Sequence, residues 1–240
     1  MVNKCLEPLL EGLFPSRCVL CGLPSHRALP LCRGCEGDLV PNRPACPRCA
    51  LPQARPLPPG IACGACQRRP PPFAAALAPW IYEEQLAFII GRWKFGGERR
   101  LAPLLAHLFL ARARGQLYPP DLLLPTPLHW GRRFRRGFNQ AEDLCAALVR
   151  GGLPAKLAGR SLARRSRATP AQSALDASSR ERNLRDAFTA IRRCDNLRIA
   201  IVDDVLTTGA TTGALARALL SAGAAHVEVW CLARTPAPGS

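Results

Sequence analysis

Residues Arg198 to Leu219 read RIAIVDDVLTTGATTGALARAL, and two chemistries lie side by side within them. Asp203 and Asp204 are adjacent carboxylates closing an apolar run. They repel each other and neither suits a strand interior, so a partner that offsets their charge is expected there. Carboxylates accept hydrogen bonds from a vicinal diol and can help to hold magnesium. A few residues on, Thr207, Thr208, Gly209, Ala210 and Thr211 lead straight into a helical pattern. Hydroxyl donors, backbone N–H groups and the helix dipole would make that loop a seat for a dianionic phosphate. Gly209 would let the backbone come close with no side chain in the way. A phosphate seat and a diol seat about one sugar ring apart describe a ribose 5-phosphate. Each half also has a plainer reading: adjacent acids serve magnesium-dependent phosphoacceptor domains, and Thr/Gly pairs open many helices.

The second chemistry is carried by cysteine. Of 12 cysteines, eight form four Cys-x-x-Cys pairs: Cys18/Cys21, Cys32/Cys35, Cys46/Cys49 and Cys63/Cys66. One such pair grips a metal from a tight knuckle, and two knuckles complete a tetrahedral site. Sequential pairing gives one zinc to Cys18, Cys21, Cys32 and Cys35, and a second to Cys46, Cys49, Cys63 and Cys66. Spacing alone also permits a cross-braced arrangement of alternate pairs, or an iron–sulfur cluster. Disulfides are disfavoured because no export signal is evident. Four thiolates leave no open position, so the expected zinc ions, two in number, are structural. Cys5, Cys145, Cys194 and Cys231 read as single thiols.

A third feature is positive charge. Arg132, Arg133, Arg135 and Arg136 fall within five residues, which suits a polyphosphate or nucleic acid; a solvated basic face is the plainer reading. Residues 129–200 hold 16 Lys and Arg against 6 Asp and Glu, an excess of +10 in a chain whose net charge is +16. That balance points to a polyanionic partner, or to nothing more than an arginine-rich proteome. No membrane span is expected, since the best apolar stretch, Leu101 to Ala113, is broken by Pro103, His107 and Arg112. Glu7 and Glu11 are unsuited to a signal peptide, so a cytoplasmic protein is expected.

These residues need elements to position them. The segment LPQARPLPPG and the run QRRPPP supply no core, so residues 1–72 read as an N-terminal helix and a metal-dependent module whose folding energy comes from zinc. From 73 to 240 the pattern alternates. FAAALAPWIY is extended, EEQLAFIIGRWKF an amphipathic helix stopped by Gly96-Gly97, and LAPLLAHLFLARAR a helix with Pro103 in its first turn. DLLLPTPL is a buried strand, and NQAEDLCAALVR a helix that Asn139 would cap. RIAIV, TTGALARALLSAG and HVEVWCLA follow as strand, helix and strand. Strands alternating with helices imply an α/β fold with a parallel sheet. Ligands of such sheets sit beyond the carboxyl ends of the strands. The loops Pro125 to Gly137 and Asp203 to Thr211 lie there.

The combined hydrophobic-Asp-Asp-x-x-Thr-Thr-Gly-x-Thr string resembles the phosphoribosyl diphosphate (PRPP) signature of type I phosphoribosyltransferases. LLPTPLHWGRRFRRGFNQAEDL, LARRSRATPAQSAL, RERNLRDAF, KFGGERRLAPLLA and the four knuckles together resemble the ComF family (competence protein F, or amidophosphoribosyltransferase-like proteins). The likeness covers nearly the whole chain, and its most specific motif is Arg136-Gly137-Phe138-Asn139-Gln140. FAAALA departs mildly, because relatives often carry a charge after the phenylalanine. The resemblance implies a type I phosphoribosyltransferase-like sheet flanked by helices, with a small N-terminal zinc-ribbon module. It implies a pyrophosphate loop at Thr126, Pro127 and Leu128, with Arg132, Arg133 and Arg136 neutralising the anion. The polar Arg164 to Gln172 segment would be a lid.

Two classes of function follow from that resemblance. One is an active phosphoribosyltransferase, in which Asp203 and Asp204 stabilise charge on the ribose of magnesium-bound PRPP while a base or amine attacks. Thr207 stands where 6-oxopurine salvage enzymes usually carry a carboxylate, so that acceptor is disfavoured. No general base is evident; His129 is the nearby imidazole. The other is a PRPP-binding protein of natural competence, acting on single-stranded DNA in the cytoplasm beside a helicase partner. Trp130, Phe134 or Phe138 would then stack on bases, if they are not core residues.

Overall fold

The computed structural model describes residues 16–113, 115–128, 131, 134, 136–159, 162–165 and 187–237. Cys5, His129, Trp130, Arg132, Arg133, Arg135 and most of the expected lid lie outside the described residues.

The N-terminal module is one design used twice. In the first ribbon, Cys18 N–H donates to Leu23 O and Gly22 N–H to Cys18 O; 28 residues on, Cys46 N–H donates to Leu51 O and Ala50 N–H to Cys46 O. The bridges Arg17–Pro24 and Ala45–Pro52 repeat at the same spacing. Gly22 and Ala50 are the equivalent left-handed positions, at φ 74° and 54°. Each ribbon's second knuckle opens a single helical turn: α1 (Arg33–Gly37) after Cys32 and α2 (Gly64–Arg68) after Cys63.

The rest is a parallel sheet between helices. The expected extended segment is two strands, β1 (Ala75–Leu77) and β2 (Trp80–Ile81), interrupted at Pro79, whose missing N–H breaks the ladder. Helix α3 (Glu84–Lys94) buries Leu86, Ile89, Ile90 and Trp93, the i, i+3, i+4, i+7 stripe of its sequence. Helix α4 (Ala102–Ala113) follows a 3-10 turn, β3 is Leu122–Pro125, and α5 is Gln140–Arg150. Asn139 caps α5, its Oδ1 accepting from Ala141 N at 3.0 Å, as its residue type predicts. Then come β4 (Lys156–Leu157), an antiparallel pair β5 (Ala163–Arg165) and β6 (Phe188–Ala190), β7 (Arg198–Leu206), α6 (Ala210–Ser221) and β8 (His226–Arg234).

The sheet order is β1-β8-β7-β3-β4, with β2 also on β8, and every pairing within it is parallel. Residues alternate between its faces. Leu123, Ala200, Val202, Trp230 and Leu232 join α3, α4 and α5 in one core cluster. Leu124, Ile199, Ile201, Val227 and Val229 join α6 in another. A parallel sheet covered on both faces is the architecture the alternating pattern demands. The first ribbon is built into the former cluster through Cys18, Leu31 and Leu39, whereas Cys46, Cys63 and Cys66 form a small cluster of their own. Two buried side chains tie the second ribbon down. Asn42 Nδ2 donates to Ala50 O and Ala78 O, and Arg234 Nε donates to Cys49 O at 3.2 Å. Among the described residues no helix is long and apolar enough to cross a membrane.

Candidate functional site

Cysteine geometry resolves the pairing that spacing left open. Cys18, Cys21, Cys32 and Cys35 form one group and Cys46, Cys49, Cys63 and Cys66 another, with the Sγ atoms of each within 4.8 Å of one another. Ribbons are therefore sequential, not cross-braced. Zinc with Zn–S bonds of about 2.3 Å at the centre of a sulfur tetrahedron requires S–S edges of about 3.8 Å. Cys21–Cys32 and Cys49–Cys63 stand at 3.9 and 3.7 Å. Backbone N–H groups also aim at the sulfurs, Cys63 N to Cys46 Sγ at 3.2 Å and Cys35 N to Cys32 Sγ at 3.5 Å, as thiolate ligands require. No disulfide occurs among the described cysteines, so these are two zinc-ribbon sites, each of four cysteines.

The second site follows from topology. The chain steps from β3 through α5 outward to β4, but from β7 through α6 to β8 on the other side. Strand order thus reverses between β3 and β7, which opens a crevice at their carboxyl ends. Thr126 follows β3, and the acidic pair lies shortly before β7 ends at Leu206, so both expected segments meet there. Thr126 is buried, its N–H and Oγ1 both donating to Val202 O at 2.9 and 3.1 Å, and Asn139 Nδ2 donates to Thr126 O at 3.1 Å. Pro127 and Leu128 are half-buried beside it.

The acids are not in a loop, contrary to expectation. Strand β7 runs through them to Leu206, Asp203 opposite Cys231 and Leu206 opposite Arg234. The ladder continues because the backbone pairing is indifferent to what the side chains carry, and each acid turns one oxygen back on the chain. Asp203 Oδ1 accepts from Asp204 N, and Asp204 Oδ1 from Val205 N, both at 2.9 Å. Asp204 is 4% exposed, and its Oδ2 forms an ion pair with Lys94 Nζ but accepts no well-aligned hydrogen bond. Burial, with the neighbouring Asp204 charge adding to it, pushes the Asp203 carboxyl up to about 7, and Lys94 works against this. Two adjacent carboxyl groups served by one ammonium, one of them held against ionising, fit a cation brought by a ligand.

Beyond β7, Thr207 and Thr208 are exposed, and Gly209, Ala210 and Thr211 are half-buried at the start of α6. Thr208 Oγ1 accepts from Ala210 N at 3.3 Å, a weak cap that leaves other first-turn N–H groups available. The backbone supplies a reason of its own for glycine at 209. A Cβ there would make ordinary contacts with Leu206 and Phe73, at 3.7 and 3.8 Å, so space is not limiting. The φ of 75° is, because it favours glycine.

Arg136 lies over the Phe95 ring at 5.1 Å and donates to Gln140 Oε1 at 3.3 Å. Phe138 is buried beneath Arg99, which removes it from stacking, whereas Phe134 is 90% exposed. Lys94 is the residue that sequence reading missed. Its one signal was a cation closing a helix just before Gly96-Gly97.

The double zinc ribbon domain family matches residues 9–67. DNA utilization protein YhgH of Salmonella typhimurium is 38% identical over 229 residues, covering 92% of this chain and 98% of that protein. Competence protein F of Haemophilus influenzae is 31% identical over 234 residues, covering 94% and 100%. Among solved structures, a hypoxanthine phosphoribosyltransferase of Trypanosoma cruzi bound to IMP overlaps 57% of this chain and 71% of its own, at 18% identity and a TM-score of 0.32.

Proposed function

The chain belongs to the ComF family, with competence protein F and DNA utilization protein YhgH as relatives, and on that premise we propose that it binds magnesium-bound PRPP in the β3–β7 crevice and acts on single-stranded DNA in the cytoplasm, in uptake or processing. The observation that carries the ligand is the convergence of Asp203, Asp204 and the Thr207–Thr211 loop at the point where strand order reverses. Asp203 and Asp204 take the ribose hydroxyls and, with them, the magnesium, which supplies positive charge to the diphosphate. Thr207, Thr208, Gly209, Ala210 and Thr211 offer hydroxyls and backbone N–H groups to the 5-phosphate. Thr126 and Pro127 line the opposite wall with Arg136, and Arg132 adds charge to that segment from outside the described residues. The DNA role rests on the relatives' names and on the basic excess; a helicase is its expected partner.

Calorimetry with PRPP and magnesium tests the ligand. Binding by the wild type that Asp204→Asn weakens supports the reading, and equal affinity in both removes it. Single-strand affinity measured against salt tests the DNA role, with a log–log slope of about −0.7 expected for each phosphate contact. Pyrophosphate release with a panel of bases or amines would turn occupancy into phosphoribosyl transfer.

A further inference from the structure

Lys94 reaches the crevice by construction. It closes α3, whose buried Ile90 and Trp93 anchor the last turn in the core. The chain then reverses at Phe95-Gly96-Gly97. A Cβ on Gly96 would lie 2.6 Å from Arg92 O, and Gly97 has φ 70°. Only glycine permits a turn that close, so the glycine pair fixes where the lysine stem departs. Its ammonium pairs with Asp204 Oδ2, whose side chain is 6% exposed, while the lysine side chain itself is 23% exposed. The carboxylate is thus enclosed and the cation that serves it can reach solvent.

We propose that Lys94 is a resident counter-ion standing where the ligand's divalent cation acts: it neutralises Asp204 while the crevice holds no ligand, and yields that carboxylate when the metal arrives. This rests on the crevice being the ligand site and adds a competitor built into the chain. The asymmetry of burial favours the exchange, because the flexible, partly solvated lysine regains water on leaving, whereas Asp204 cannot. Ligand binding is then an exchange of one cation for another rather than an approach to bare charge. The lysine sets how much divalent cation the site requires.

Calorimetric titration of Mn2+ alone into the zinc-loaded full chain tests this. Lys94→Met should bind at least tenfold more tightly than the wild type. Lys94→Arg, which keeps the charge, should stay near the wild type, and adding Asp204→Asn to Lys94→Met should abolish the gain. Thermal melts establish that each variant is folded. Equal affinity in Lys94→Met and wild type, or binding in neither, overturns the exchange. The ligand reading is scored separately, by titrating PRPP with magnesium into the wild type. PRPP binding without a Lys94→Met effect on Mn2+ sinks the exchange alone. Tightened Mn2+ binding without PRPP binding sinks the ligand assignment and leaves the exchange standing.

Discussion

Two regions of this molecule gather groups that repel when ionised, and they resolve the problem differently. Each ribbon brings four thiols together within one short stretch of chain, supported in the second ribbon by Leu51, Leu57 and Ala62 around three buried cysteines, with Ala50 alone among its described residues reaching a larger core cluster. Four thiolates in so small a setting call for a metal. The crevice gathers two carboxylates at the end of a strand buried on both faces, and there the fold supplies Lys94 from a distant helix. A region without its own core imports its stabilising cation, whereas a region embedded in a large core can carry one. The two regions are also joined. Arg234 donates to Cys49 O in the second ribbon and to Leu206 O, where the threonine loop begins.

Removing the metal should break the contrast most sharply. Structural zinc contributes apparent free energies of about 10–16 kcal/mol in small domains. Chelation, or Cys46→Ser, should therefore unfold the second ribbon while the sheet persists, read as lost amide protection over residues 42–68 with retained far-UV dichroism. The first ribbon should lose less, because Cys18, Leu31 and Leu39 share the main core. Equal loss in both would mean that packing does not distinguish them.

The joint comes next. Arg234→Met strands the carbonyl of Cys49 and leaves Leu206 O to Thr235 alone, so urea denaturation should show a loss of about 1.5–3 kcal/mol, the range for hydrogen bonds from a charged donor. Unchanged stability would mean the regions are independent. Asp204→Asn should act on the ligand instead, weakening PRPP by about tenfold to hundredfold in calorimetry. Its effect on the apo fold should be smaller, since the Lys94 it strands can reach water.

The most pH-dependent effect belongs to Asp203. Its carboxyl is raised in the fold from 3.8 to about 7, so ionisation disfavours the folded state, and the penalty grows as pH climbs from about 4 through 7. Asp203→Asn should accordingly raise the apo melting temperature at pH 8 and leave it unchanged below pH 4. Wild-type affinity for PRPP with magnesium should rise between pH 6 and 8 as that proton leaves. A melting difference that grows toward low pH would reverse this assignment.

The sequence by itself determined what neighbours along the chain decide. The four knuckles, the Asn139 cap, the amphipathic stripe of α3 and the strand–helix alternation all follow from spacing within a few residues, where chain geometry leaves little choice. The threonine loop at the head of α6 was legible for the same reason. Only the tertiary structure decided which knuckles share a metal, because one chain spacing allows two closures. It alone carried β7 past the acids to Leu206, because strand length depends on the ladder offered by β8. It alone set Lys94 against Asp204 and Arg234 against Cys49, since a buried ion pair and a buried guanidinium are chosen by packing across the core, and no local pattern records which distant residue will arrive.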